Sequence, residues 1–335
     1  MKLHKLIFPQ ITLIVFINIF SSFNISAQNG NFPFDSENWQ LFNGQFVEYM
    51  GRTTLMGSAQ LIDVEFENGI IEYDIAVTGE RSYPGIRFRV QSMADAENFY
   101  IRPHIIGVSQ DALQYTPIFN NEACWQLYNG EGFTSGINMQ KNEWVRVRME
   151  VTGSQARVYI GDVESPSLKI NYLKHGKSKG GIVLVSPPNG SAYFSNFRIN
   201  KTTNLNFEPP LNKEMPPGII TDWQISQTFK YSKIDLEKTY NQQNLTDLEW
   251  QTVNCEKSGL VNVSSYIQRR GREPDFIFAK TIIESDEDQL KQLNFGYSDW
   301  VVIFLNEELL FSGSSPYQGR GMGFYVSVWE GGLLS

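Results

Sequence analysis

"GIRFRVQSMADAENFYIRPH", residues 85–104, decides the fold class. Apolar and polar residues alternate at both ends. Ile86, Phe88 and Val90 fall on one side, and Arg87 and Arg89 on the other. Phe99, Ile101 and Pro103 likewise share a side, with Tyr100, Arg102 and His104 opposite. A period of two is the side-chain period of a strand, so each segment reads as a half-buried β-strand. The short polar stretch between them predicts an antiparallel hairpin whose two polar faces coincide.

The same pattern extends in both directions. "GIIEYDIAV" (69–77), "WVRVRMEV" (144–151), "ARVYI" (156–160), "GIVLV" (181–185) and "AYFSNFRI" (192–199) are short and rich in β-branched and aromatic residues. Turn residues separate them, and no window carries the period of an amphipathic helix. Many short strands without helices predict an all-β sandwich or jelly roll. Residues 200–222, "NKTTNLNFEPPLNKEMPPGIITD", hold two Pro-Pro pairs and read as a semi-rigid, extended linker. They divide a first domain, 30–199, from a second, 223–335. The second is strand-like too, in "SGLVNVSSYI", "DFIFAKTII", "LNFGYSDWVVIFLN" and "ELLFSG", with "NEE" at 306–308 placed as a hairpin turn. No internal repeat of about 20–50 residues appears, which excludes a solenoid or propeller.

The N-terminus points to export. Lys2 and Lys5 precede an apolar run, Leu6–Phe20, followed by "SSFNISAQNG", so residues 1–27 read as a signal peptide cut after Ala27. Pro9, Gln10 and Asn18 interrupt the run, which is shorter than the roughly 20 residues of a membrane span. The expected location is secreted or periplasmic, with no transmembrane span after cleavage. A net charge of −8 argues against a nucleic-acid partner. Only two cysteines, Cys124 and Cys255, exist, which excludes a disulfide scaffold and a cysteine-rich metal site. Two separate thiols are expected.

If the strands at 69–77, 85–90 and 99–104 are neighbours, one face collects Glu72, Asp74, Arg87, Arg89, Tyr100, Arg102 and His104. Guanidinium donors, carboxylate acceptors and aromatic rings together suit a polyol. The same residues paired across strands would simply stabilise the sheet, at about 0.2–1 kcal/mol per pair. "DALQYTPIFNNEACWQLYNGEGF" (111–133) then mixes amides with large aromatics, as a binding rim does. The expected carbohydrate contacts are Arg87, Arg89, Tyr100, Arg102, His104, Gln114, Tyr115, Asn120, Trp125 and Tyr128.

"FENGIIEYDIAV", "GIRFRV", "NFYIRPH", "WVRVRMEVTGSQARVYIGD" and "GGIVLVSPPNGSAYFSNFRI" stand in an order that resembles concanavalin A-like lectin/glucanase domains. The likeness is greatest to the laminin-G-like and 3-keto-disaccharide hydrolase branches. It implies a two-sheet jelly roll whose concave sheet binds carbohydrate. Glucanases of that superfamily carry Glu-x-Asp-x-x-Glu on one strand; here Glu72 and Asp74 match, but Val77 replaces the second Glu. Glu72, His104 and Asp111 stay as candidates for acid–base chemistry, with no serine or cysteine nucleophile beside them.

"FAKTIIESDEDQLKQLNFGYSDWVVIFLNEELLFSG" resembles the galactose-binding-like jelly rolls attached to glycoside hydrolases. The run Glu284–Asp288, with Asp286 and Asp288 at alternate positions, offers hard oxygens to a structural calcium or is a solvated turn. It lacks the Gly and distal Glu of the helix-loop calcium motif. No other cofactor is expected. After "SPYQGR" the strand pattern fades, and strands that would close a jelly roll are missing, as in a truncated or frame-shifted product. The expectation is an exported protein that recognises an oligo- or polysaccharide. The alternatives are a 3-keto-disaccharide hydrolase-like glycoside hydrolase and a cell-surface adhesion module.

Overall fold

The computed structural model describes residues 29–210, 214–230, 248–269, 271 and 275–315. The expected signal peptide and the stretch from 316 onward, where the strand pattern fades, lie outside the described residues. Fourteen strands form one antiparallel sheet. In chain order they are β1 (Gly30–Asn31), β2 (Trp39–Tyr49), β3 (Arg52–Leu61), β4 (Gly69–Val77), β5 (Gly85–Ser92), β6 (Asp95–Ile101) and β7 (Leu113–Phe119). Then follow β8 (Glu122–Ala123), β9 (Thr134–Ser135), β10 (Val145–Thr152), β11 (Gln155–Ile160), β12 (Leu168–Ile170), β13 (Gly181–Val185) and β14 (Ala192–Asn200).

Local signals account for the elements. In β4, Ile71, Tyr73, Ile75 and Val77 are buried while Ile70 and Glu72 are half-exposed, the alternation of a strand with one face on a core. β10 repeats it with Val147, Met149 and Val151. The expected hairpin forms between β5 and β6, turning at Met93–Ala94 with Ser92 opposite Asp95. β7 turns into β8 through Asn120 and Asn121, both at positive φ, as a two-residue hairpin turn of the primed type requires.

Along the main path the strand order is β12-β11-β10-β4-β14-β3-β13-β5-β6-β7-β8. A flat sheet of that breadth would hold its two ends far apart. Instead the inward residues of β12, β4, β14, β5 and β7 all join one buried apolar cluster. The segment following β12 meets the other end directly: the Lys174 backbone N–H donates to Tyr115 Oη at 2.7 Å, and that of His175 to Glu97 Oε1 at 3.0 Å. The sheet therefore curls on itself into a sandwich, with Trp39, Tyr73, Phe88, Phe99 and Phe194 filling the middle. Among the described residues there is no α-helix, and none of any kind long and apolar enough to cross a membrane.

Topology corrects one premise of the sequence reading. β4 and β5 follow one another in the chain, yet β14, β3 and β13 lie between them in the sheet. Glu72 and Asp74 consequently sit on a different part of the molecule from Arg87, Tyr100 and Arg102.

The second half contributes β15 (Asp222–Ser226), β16 (Phe229–Lys230), β17 (Trp250–Asn254), β18 (Asp275–Phe276), β19 (Ala279–Lys280), β20 (Asp299–Leu305) and β21 (Glu308–Ser315). They pair as β17-β15-β19, β16-β18 and β20-β21. Among the described residues of this half the pairing is confined to these three small sheets. The last pair is the anticipated hairpin, turning at Asn306 and Glu307, both at positive φ. Cys124 and Cys255 are free thiols.

Candidate functional site

Two polar surfaces emerge from this fold, and they differ in how far their charges are already used. The first lies over β4, β10 and β14. A register shift in β14 between Ser195 and Arg198, with Asn196 at φ 51°, opens a groove of about 690 Å³. Asp74 stands in it with 8% exposure, accepting from Arg52 Nη1 and Asn196 Nδ2, each at 2.6 Å. Glu72 accepts from Arg198 Nε at 2.8 Å and Nη2 at 3.1 Å. Further along, Arg148 pairs with Glu150 and lies over the Tyr159 ring. Each carboxylate of this ladder is committed to protein donors, which makes it the cross-strand pairing of a charged sheet face. Glu72 and Asp74 are here acceptors held in place, with Val77 buried in the core.

The second surface is the face of β5, β6 and β7 opposite the core. Register places Val183, Arg87, Asn98 and Thr116 in one transverse row. Val185, Gly85, Tyr100 and Gln114 form the next. Beneath this face runs a closed network. Tyr100 Oη donates to Gln114 Oε1 at 2.6 Å, and Arg102 Nη2 donates to Tyr100 Oη at 3.0 Å and to Gln114 Oε1. Gln114 Nε2 donates to the carbonyls of Trp125 and Tyr128, at 2.8 and 2.7 Å. The amide thus uses both donors and both acceptor positions on protein groups. Arg102 also bonds the Asp111 carbonyl and lies 3.4 Å from its carboxylate. Tyr100, Arg102 and Gln114 therefore hold Asp111 and the 125–128 segment against the sheet and form the floor of the site, with little surface left for a ligand.

Several expected contact residues lie elsewhere. Arg89 does not share the face of Arg87. Its φ is 51°, the register shifts between Phe88 and Ser92, and its side chain is fully buried. This bulge turns the guanidinium inward, where Nε and Nη2 donate to the Glu67 carbonyl at 2.9 and 2.7 Å, Nη1 to that of Gly176 at 2.6 Å and Nη2 to that of Gly153 at 2.7 Å. Tyr115 is opposite Phe99 on the core face, fully buried, donating to Glu97 Oε2 at 2.6 Å. Burial pushes the Glu97 carboxyl up, against the opposing pull of Tyr115, His175 and Arg89. Tyr128 is also buried and donates to Glu256 Oε1. Asn120 belongs to the β7–β8 turn, and its Nδ2 donates to the Ser264 carbonyl at 2.8 Å. "FYIRPH" is a strand only as far as Ile101; Pro103–Ile105 is a 3₁₀ turn, entered by Pro103.

The rest of the second surface holds unpartnered polar atoms. Arg87 is half-buried; its Nε is buried without a hydrogen-bond partner, and burial alone pulls its guanidinium down. His104 Nδ1 is likewise buried and unpartnered. Burial, then the charges of Arg81, Arg102 and Lys141, hold its imidazole below the usual histidine range against the opposing Asp111. Tyr83, a residue the sequence reading passed over, is 44% exposed and sets its ring edge-on to both Tyr100 and His104, 5.8 Å from each. Asn98 was also passed over, although its alternation with Tyr100 already put it on this face. Trp125 is half-buried on the loop that borders β7.

No protein-family model matches the chain, and no curated protein matches it. Solved structures do. A carbohydrate-binding module of Bacillus subtilis is 14% identical, with 48% of this chain and 93% of that one covered and a TM-score of 0.36. A β-glucanase of Bacillus licheniformis is 10% identical, covering 53% and 100%, at 0.36. Chicken galectin 2 is 11% identical, covering 43% and 98%, at 0.33.

Asp286 and Asp288 are exposed in a segment without strand structure, where Ser285 Oγ donates to the Glu287 carbonyl. Among the described residues no group of three or more His, Cys, Asp or Glu side chains converges as a metal site would.

Proposed function

We propose that this chain is an exported carbohydrate-binding protein whose site is the β5–β6–β7 face, built around Arg87, Asn98, Tyr83 and His104. The observation that carries the reading is the pair of unpartnered polar atoms there. Arg87 Nε and His104 Nδ1 are buried polar atoms without protein partners, beside an exposed tyrosine ring. Leaving a buried donor unpaired costs about 1–3 kcal/mol, which a sugar hydroxyl returns on binding. The Tyr83 ring offers an apolar surface to the C–H face of a pyranose. In the β4–β10–β14 groove the charges already pair with one another, and the unpartnered buried polar atom there is the Tyr73 hydroxyl.

Isothermal titration against a panel of neutral and acidic oligosaccharides tests the assignment. Tyr83→Ala and His104→Ala are expected to weaken binding about tenfold each, whereas Arg148→Ala, on the other surface, leaves it unchanged. Binding that survives both site variants but is lost in Arg148→Ala would move the site to the charged ladder.

A further inference from the structure

Arg87 is the feature of the site that a neutral sugar does not account for. A guanidinium taken partly out of water is normally balanced by a carboxylate. In-register neighbours of Arg87 are Val183 and Asn98, with Thr116 beyond, all uncharged. The acids of the neighbouring strands are committed elsewhere. Asp95 accepts from Ser92 Oγ and the Asn120 backbone N–H. Glu97 lies on the core side, bound to Tyr115 and His175. Asp111 is taken by Arg102 and Ser109. Among the described residues no carboxylate forms an ion pair with Arg87. Around His104 the charges of Arg81, Arg102 and Lys141 outnumber that of Asp111.

We propose that Arg87 receives the carboxylate of an acidic saccharide, so that the site selects uronate-containing oligosaccharides over neutral ones. The inference rests on the β5–β6–β7 face being the sugar site. A planar fork of N–H donors fits a carboxylate bidentately, which an ammonium does not.

The test uses the full chain and two probes of equal length and linkage: an oligogalacturonate and its carboxyl-reduced, neutral counterpart. Wild type is expected to bind the acidic oligomer about tenfold to a hundredfold more tightly, the worth of a charge-assisted hydrogen-bonded pair, with the preference shrinking as salt is raised. Arg87→Gln is expected to bind both probes equally, and Arg87→Lys to keep only part of the preference. An unchanged melting temperature in Arg87→Gln separates lost recognition from lost folding. Equal binding of both probes by wild type, or an acidic preference that persists in Arg87→Gln, overturns the carboxylate role and leaves sugar binding standing. If neither probe nor any other saccharide binds, the sugar-binding reading falls with it. Equally tight binding of the reduced oligomer after sulfation would overturn selection for a carboxylate, because charge alone would then account for the preference.

Discussion

Two arginines two positions apart, Arg87 and Arg89, make opposite contributions. Arg89 spends its guanidinium on three backbone carbonyls, from Glu67, Gly153 and Gly176, each in a different loop. It clamps one end of the sandwich, and its burial is tolerable because every donor group is answered. Arg89→Met would leave those carbonyls unpaired in a space shaped for a planar cation. We expect a loss of about 3–5 kcal/mol in urea denaturation, whereas Arg87→Met should change stability by less than about 1 kcal/mol. Comparable losses from the two would show that Arg87 has a structural role. The sequence alternation assigns both to one polar face. Nothing in "GIRFRV" announces the bulge, although β5 itself carries it: between the Arg87–Val183 and Val90–Gly181 pairs β5 has one residue more than β13, and alternation alone does not show which residue that is.

At the scale of elements, hairpins and turns carry most of the local information. The β5–β6, β10–β11 and β20–β21 hairpins all fall where alternating runs are separated by short polar stretches. The strand end at Ile101 follows from Pro103, whose ring fixes φ and removes a donor. Gly85 has a sharper requirement: a Cβ built there would lie 2.0 Å from the Phe99 carbonyl oxygen and 2.7 Å from Tyr100 Cβ. Gly85→Ala must push β5 away from β6 and disturb the row that holds Tyr100 and Gln114. The expected cost is about 1–3 kcal/mol or more in thermal denaturation, with sugar binding lost alongside. A variant as stable as wild type would mean that the two strands separate at no cost.

At the scale of the molecule, the halves meet on the loop that borders the site. Glu256 accepts from Tyr128 Oη and pairs with Lys174, Asn262 reaches Cys124 and Tyr128, and Arg269 lies 3.6 Å from Glu122. Burial pushes the Cys124 thiol up, so it should react slowly with thiol reagents while this contact holds. Glu256→Ala is expected to cost about 1 kcal/mol and to raise the modification rate of Cys124. An unaltered rate would show that the thiol is shielded by the first half alone. The amino-acid sequence by itself determined the all-β class, the strand positions and the apolar side of β4, β5, β6 and β10, because a period of two is written locally. It also marked Tyr100, Arg102 and His104 as lying off that apolar side. Only the tertiary structure decided that β14, β3 and β13 separate β4 from β5, that Arg89 and Tyr115 face the core, and that Arg87 is left without a counter-charge. Strand order, bulges and charge pairing depend on partners distant in the chain, and no local pattern encodes which partner arrives.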